Sequence, residues 1–258
     1  MAGMTQRTRH EAGQPRWRRW RVLVGLLCAL APPVASAQGP RVILWAWERP
    51  ENLRFLNPQR AEVSFLAATV ELTEAGFSVR PRRQPLYLPP GLRPRATVRI
   101  EMRQGGSLAH VAPELRQRLV ERLVATARAV DAAALQLDFD ARESEAEAYL
   151  TLLGELRARM PSGLPLSITA LASWCVPGSW LARAPVDEVV PQLFRMGPDG
   201  ASHHERALRG FEPPCAHSVG LAIDEWREPP ALASTVYLFN PRPWTPTAFT
   251  EALSRLNP

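Results

Sequence analysis

Short runs rich in Val, Ile, Leu and aromatic residues recur along the chain from residue 41 to residue 240. They predict strands at 41–48, 62–70, 96–102, 133–140, 164–173, 188–195, 218–224 and 234–240, because β-branched and aromatic side chains suit a pleated, largely buried strand. Helical spacing appears between several of these runs. Residues 113–130 open on Pro113 and repeat apolar side chains at Leu115, Leu119, Leu123 and Ala127; similar patterns run from Ser144 to Met160 and from Thr247 to Leu256. Strands alternating with helices imply a parallel sheet, and eight such strands imply a closed α/β barrel of the (β/α)8 TIM-like type. Proline and glycine punctuate 74–95, 175–187 and 197–215, so the first is expected to be an extended or hairpin excursion and the others loops in place of helices.

Alternation within each strand predicts which side chains enter the lumen. In 133–140, Leu135, Leu137 and Phe139 form an apolar face for the helix layer, which leaves Gln136, Asp138 and Asp140 inward, with Asp140 nearest the C-terminal mouth. The same rule on 218–224 puts Gly220, Ala222 and Asp224 inward. On 41–48 it groups Val42, Leu44, Ala46 and Glu48, with Glu48 at the rim. On 96–103 it groups Thr97, Arg99, Glu101 and Arg103. Acids and arginines are thus expected to converge on the end of the barrel where such folds carry chemistry.

The chain has 258 residues, 46% hydrophobic and 22% charged, which suits a globular domain and not a multi-span membrane protein. Its formal charge of +6 is concentrated at the start. Six arginines and one glutamate lie within residues 1–37, leaving 25 basic against 24 acidic residues, too even a balance to favour nucleic acid. The basic stretch 16–21, the apolar run Val22–Leu30 and Ala35-Ser36-Ala37 have the form of a signal peptide, and the apolar run is too short for a stable membrane span. The expectation is a signal peptide at 1–37, a single barrel domain at 38–258, and a periplasmic or secreted location. Cys175 and Cys215 then remain, either paired or as separate buried thiols. All 31 basic residues are arginine, which excludes a Schiff-base lysine.

Converging carboxylates suit glycoside hydrolysis, in which one acid donates a proton to the leaving oxygen and another, ionised, stabilises or attacks the sugar cation. Asp140 is the first catalytic candidate, as the ionised carboxylate, and Asp224 or Glu225 the second, as the acid. Asp138, Glu48, Glu101, Arg142, Trp174, Gln192, Trp226 and Asn240 are substrate-binding candidates. Arg142 would fix Asp140 or hold an anionic sugar, and tryptophans near strand ends offer faces for sugar rings. The competing reading is an internal ion-pair network, with Arg99 or Arg142 neutralising Asp138 and Asp140. No cofactor is expected. Asp138 and Asp140 lack further ligands at metal-binding spacing, and the histidines at 203, 204 and 217 lack a zinc-binding pattern. No nucleophile elbow or phosphate loop is present.

The segments LQLDFDARESE (135–145), LSITALASWC (166–175) and WAWERP (45–50) resemble a bacterial family known as domain of unknown function 3142. That resemblance implies a barrel and an exported protein, without an activity. More remotely, Asp138-Phe139-Asp140 resembles the acidic strand end of chitinase-like glycoside hydrolases of family 18, Asp-x-x-Asp-x-Asp-x-Glu. Leu135 stands where that pattern has its first aspartate and Arg142 where it has the proton-donating glutamate. Arginine does not donate its proton near neutral pH, so another acid donates (Glu225, Asp224 or Glu48) or the site binds sugar without cutting it. The alternative function is a non-catalytic carbohydrate-binding or envelope-assembly protein on the same scaffold.

Overall fold

The computed structural model describes residues 39–103 and 105–256. The leader expected at 1–37 lies outside them. Eleven strands appear in chain order: β1 (Arg41–Ala46), β2 (Glu51–Asn52), β3 (Glu62–Leu72), β4 (Phe77–Pro81), β5 (Leu86–Tyr87), β6 (Arg95–Met102), β7 (Leu135–Asp138), β8 (Leu166–Leu171), β9 (Glu188–Gln192), β10 (Ser218–Ala222) and β11 (Thr235–Phe239). The ring β1-β3-β6-β7-β8-β9-β10-β11 is parallel throughout and closes where β11 pairs with β1. These are the eight strands read from the sequence.

Four α-helices accompany them: α1 (Pro113–Ala129), α2 (Ala146–Arg159), α3 (Gly200–Arg209) and α4 (Pro246–Leu256). Pro113 sits in the first turn of α1, where its missing N–H costs nothing, and Leu115, Leu119, Leu123 and Ala127 are buried as their spacing requires. Three helical segments were legible in this way. Helix α3 was not, since 197–215 was expected to be loop. It buries only Gly200 and Ala207, so no apolar stripe announces it.

Where other helices would stand, the chain uses shorter devices. Residues 74–95 form the expected hairpin excursion, with β4 antiparallel to the upper half of β3. A bulge between Leu66 and Ala68 shifts the register of β3 against β6. Arg82 anchors the excursion by donating to the carbonyls of Ala46, Trp47, Arg49 and Gln84. Between β8 and β9 the chain makes two 3-10 turns, and a Cys175–Cys215 disulfide, with Cα atoms 5.9 Å apart, ties this loop to the segment before β10.

The core has two parts. Val42, Leu44, Leu135, Leu137, Phe139, Val219 and Leu221 pack outward in the main apolar cluster, while Ile43, Trp45, Val190 and Tyr237 form a separate one. Trp45 occupies the centre of the lumen: its indole N–H donates to Gln136 Oε1 at 2.8 Å, and its ring lies 5.0 Å from that of Tyr237. Gly220 makes this possible, because a Cβ there would stand 2.6 Å from Cη2 of Trp45. Below the indole, Glu188 receives Arg95, Ser218 and the Tyr237 hydroxyl at 2.6–2.8 Å. Beside it, Thr97 and Ser167 complete the bonds of Gln136. The lumen is therefore filled by side chains, and a ligand has room only at its ends.

Candidate functional site at the C-terminal mouth

The phase predicted for the fourth barrel strand holds for Gln136 and Asp138, while the strand ends at Asp138, short of Asp140. Gln136 and Asp138 of β7 point into the lumen, and Leu135 and Leu137 point away. Beyond the strand, an Ala141 N–H to Phe139 carbonyl bond turns the chain and leaves Asp140 exposed at the rim. Asp138 is buried and accepts the Thr169 hydroxyl at 2.8 Å, with the Arg99 guanidinium 3.9 Å away. Burial pushes its pKa above the usual aspartate value, opposed by the Thr169 bond, by Arg99 and by a bond from Gln192.

Asp140 lies on two adjoining clefts. The larger, of about 780 Å³, is walled by Arg142, Glu143, Ser173, Trp174, Trp180 and Arg183. The smaller, of about 290 Å³, is lined by Gln192, Phe194, Arg195 and His203, and shares Asp140, Leu171 and Ser173 with the first. The larger falls in the size range of small-ligand sites. The opening is one-sided for a packing reason. Phe194 and Phe239 stack at 5.7 Å, Trp47 meets Phe239 edge-on at 6.2 Å, and Trp45 lies against Phe194, so aromatic rings cap the lumen between β9 and β1. Room remains over β7, β8 and β9.

The remaining site candidates divide accordingly. Arg142, Trp174 and Gln192 line the clefts with Asp140. Trp174 is buried beneath Trp180, their ring centres 5.2 Å apart, so Trp180 is the more accessible ring of the pair. Asp224 and Glu225 do not share the cleft lining. Strand β10 ends at Ala222, a 3-10 turn takes over, and the alternation that sent Asp224 inward stops. Asp224 pairs instead with the Arg195 guanidinium at 3.4 Å, and Glu225 accepts the Arg195 backbone N–H at 3.0 Å and meets Arg227 at 3.3 Å.

Glu48 is also displaced from its expected place. Val42, Leu44 and Ala46 face the helix layer, β1 ends at Ala46, and Glu48 accepts the N–H groups of Arg83 and Gln84. Glu101 shares a face with Arg99, as expected, and pairs with it at 3.0 Å on the projecting end of β6. Trp226 lies under Arg255, and buried Asn240 holds its own loop through Arg242 and Pro243. Sequence reasoning missed Glu143, Arg183 and Arg195 as cleft residues. The ladder of charges after Asp140 marked the first, but the other two depend on loop paths. Among the described residues no cluster of three or more His, Cys, Asp or Glu is arranged to hold a metal ion.

The molecule is a closed (β/α)8 barrel with an aromatic-walled cleft of mixed charge at the C-terminal mouth, and structural comparison agrees on the fold. The chain is similar to the spore cortex-lytic enzyme SleL of Bacillus cereus, with a TM-score of 0.50, 16% identity, and coverage of 71% of this chain and 51% of that one. The chain thus spans about half of that enzyme. It is also similar to a family GH18 chitinase from Chromobacterium violaceum, with a TM-score of 0.50, 11% identity and 78% coverage of each chain. No curated protein matches it. Residues 93–196 match the family described as Domain of unknown function (DUF3142), a stretch that includes β6 to β9 and most of the cleft.

Proposed function

We propose that this is an exported protein that takes a carbohydrate into the cleft over β7, β8 and β9. The observation that carries this reading is Asp140: an exposed carboxylate with no ion pair among the described residues, at the C-terminal mouth, in a cleft walled by Trp180. Such a carboxylate accepts hydrogen bonds from sugar hydroxyls, and an indole face covers the apolar face of a sugar ring. The fold shared with a chitinase and a cortex-lytic enzyme favours a glycan over other small ligands, although fold by itself does not define an activity. Export is supported by the form of residues 1–37 and by the disulfide, which suits an oxidising compartment.

Hydrolysis and binding without hydrolysis divide on the second acid. With Asp224 and Glu225 engaged by Arg195, the binding alternative gains weight. The test is a panel of labelled oligosaccharides presented to the wild type and to Asp140→Asn, scoring affinity and cleavage separately. The reading expects at least one member to bind, with affinity reduced about tenfold in the variant, the scale of one charge-assisted hydrogen bond. Binding that is unchanged in Asp140→Asn removes Asp140 from the site.

A further inference from the structure

We propose that Arg195 reads an anionic substituent on the ligand, so that the mouth selects acidic saccharides over neutral ones. This deepens the carbohydrate reading above and rests on it.

Arg195 lines the smaller cleft together with Asp140, Gln192 and His203. Its backbone has φ 53°, in the left-handed region that side chains other than glycine rarely adopt. The other non-glycine residue with positive φ among those described is Asp131, a residue type that tolerates this conformation, in the turn after α1. An arginine has no such tolerance, so its surroundings must hold it there. Glu225 accepts its backbone N–H, Asp224 takes one guanidinium nitrogen at 3.4 Å, and the ring of Phe239 lies 5.6 Å from its guanidinium carbon. The two acids that sequence alone nominated for catalysis thus act as positioning residues for a cation.

What that cation can do follows from its geometry. A guanidinium carries five N–H donors in a planar fork, and Asp224 takes one of them at the long end of the hydrogen-bond range. The side chain is more than half exposed, and Arg195 and Asp140 are not within ion-pair distance. Across the cleft, Arg183 is paired with Glu147, while Arg142 gives its backbone N–H to Glu145 and its guanidinium has no ion pair among the described residues. The mouth therefore presents two open carboxylates, Asp140 and Glu143, and two available guanidinium groups, those of Arg195 and Arg142. A neutral sugar satisfies Asp140 through its hydroxyls but leaves both forks to water. A carboxylate on the sugar accepts a fork bidentately, the arrangement in which arginine binds most strongly and specifically.

The experiment measures binding of uronate oligomers on several backbones, the methyl esters of the same oligomers, sulfated cello-oligomers, and neutral chito- and cello-oligomers to the full chain by calorimetry. The wild type is expected to bind an acid roughly tenfold more tightly than its ester, and the preference should shrink as salt is raised. Arg195→Gln should bring the acid-to-ester ratio close to one, and Arg195→Lys should restore part of it. Glu225→Ala should lower the ratio with no change in thermal unfolding that would signal lost structure. A preference for sulfated over uronate oligomers would identify sulfate as the substituent and still support Arg195 if it too collapses in Arg195→Gln. Equal binding of acid and ester, a preference that survives Arg195→Gln, or binding of neutral oligomers alone overturns the inference and leaves the carbohydrate reading standing. Binding of no oligomer in the set overturns both.

Discussion

Gly220→Ala adds one methyl group at the most crowded point of the barrel, and its cost follows from the lumen packing. The new Cβ would stand 2.6 Å from Cη2 and 2.8 Å from Cζ3 of Trp45, against an ordinary carbon–carbon separation of about 3.5–4.0 Å. The indole must therefore move by about 1 Å. It is held on the other side by Gln136 and lies against Tyr237 and Phe194, so it cannot swing aside freely. Overpacking of this kind costs about 1–3 kcal/mol, while replacing a strand glycine by alanine returns about 0.5–1 kcal/mol of backbone entropy. The expected net loss is about 1–2 kcal/mol, or a fall of about 2–8 °C in Tm for a domain of this size. Thermal and urea unfolding should be measured in the wild type, Gly220→Ala, Trp45→Phe and the double variant. Because Trp45→Phe removes the clashing edge, Gly220→Ala should cost less in that background. An equal cost in both backgrounds, or a more stable Gly220→Ala protein, would refute the claim that Trp45 fills the lumen against Gly220.

Three other outcomes are expected. Replacing Cys175 and Cys215 by serine opens a 40-residue loop and should lower stability by up to about 4 kcal/mol on the chain-entropy account, with reductant producing the same loss in the wild type; denaturant unfolding with and without dithiothreitol reads both. Asp138 has its folded pKa raised, so the stability linked to its protonated form is complete below the ordinary value of 3.8 and lost as pH rises through the elevated folded value. The stability of Asp138→Asn relative to the wild type should therefore rise with pH across that window, and a relative stability that falls with rising pH would contradict the burial argument. Tyr149 carries a buried hydroxyl with no hydrogen-bond partner among the described residues, so Tyr149→Phe should be neutral or stabilising by about 1 kcal/mol in thermal unfolding; a loss of similar size would mean the hydroxyl has a role in the core.

The barrel was legible in the sequence because each of its strands is an apolar run set off by turn residues, and β7 was legible in phase because its two faces differ in chemistry. Strand β1 lacks that contrast. Val42 and Leu44 face the helices while Ile43 and Trp45 face the lumen, so alternation names the pairs without saying which pair is inside. Extrapolating past strand ends failed for Glu48 and Asp224, since a strand's alternation ends with its extended backbone. The bulge in β3 carries no local mark, and α3 hides behind a polar surface with two small buried residues. Asp140, Arg142, Trp174 and Gln192 could be foreseen as neighbours because each sits on a barrel strand or within four residues of its end and carries a side chain suited to a sugar site. Arg195 lies just as near the end of β9, but its role could not be foreseen, because its conformation and guanidinium are held by acids that approach from another loop.

The central claim is that a carbohydrate sits at the C-terminal mouth, over β7, β8 and β9. Backbone amide shifts of the labelled protein, titrated with the tightest-binding oligosaccharide, locate the site directly. The account predicts that the largest changes fall on Asp140, Arg142, Trp180, Gln192 and Arg195. Changes confined to the outer faces of α1 and α2, or to the opposite end of the barrel, with those five residues unmoved, would contradict it.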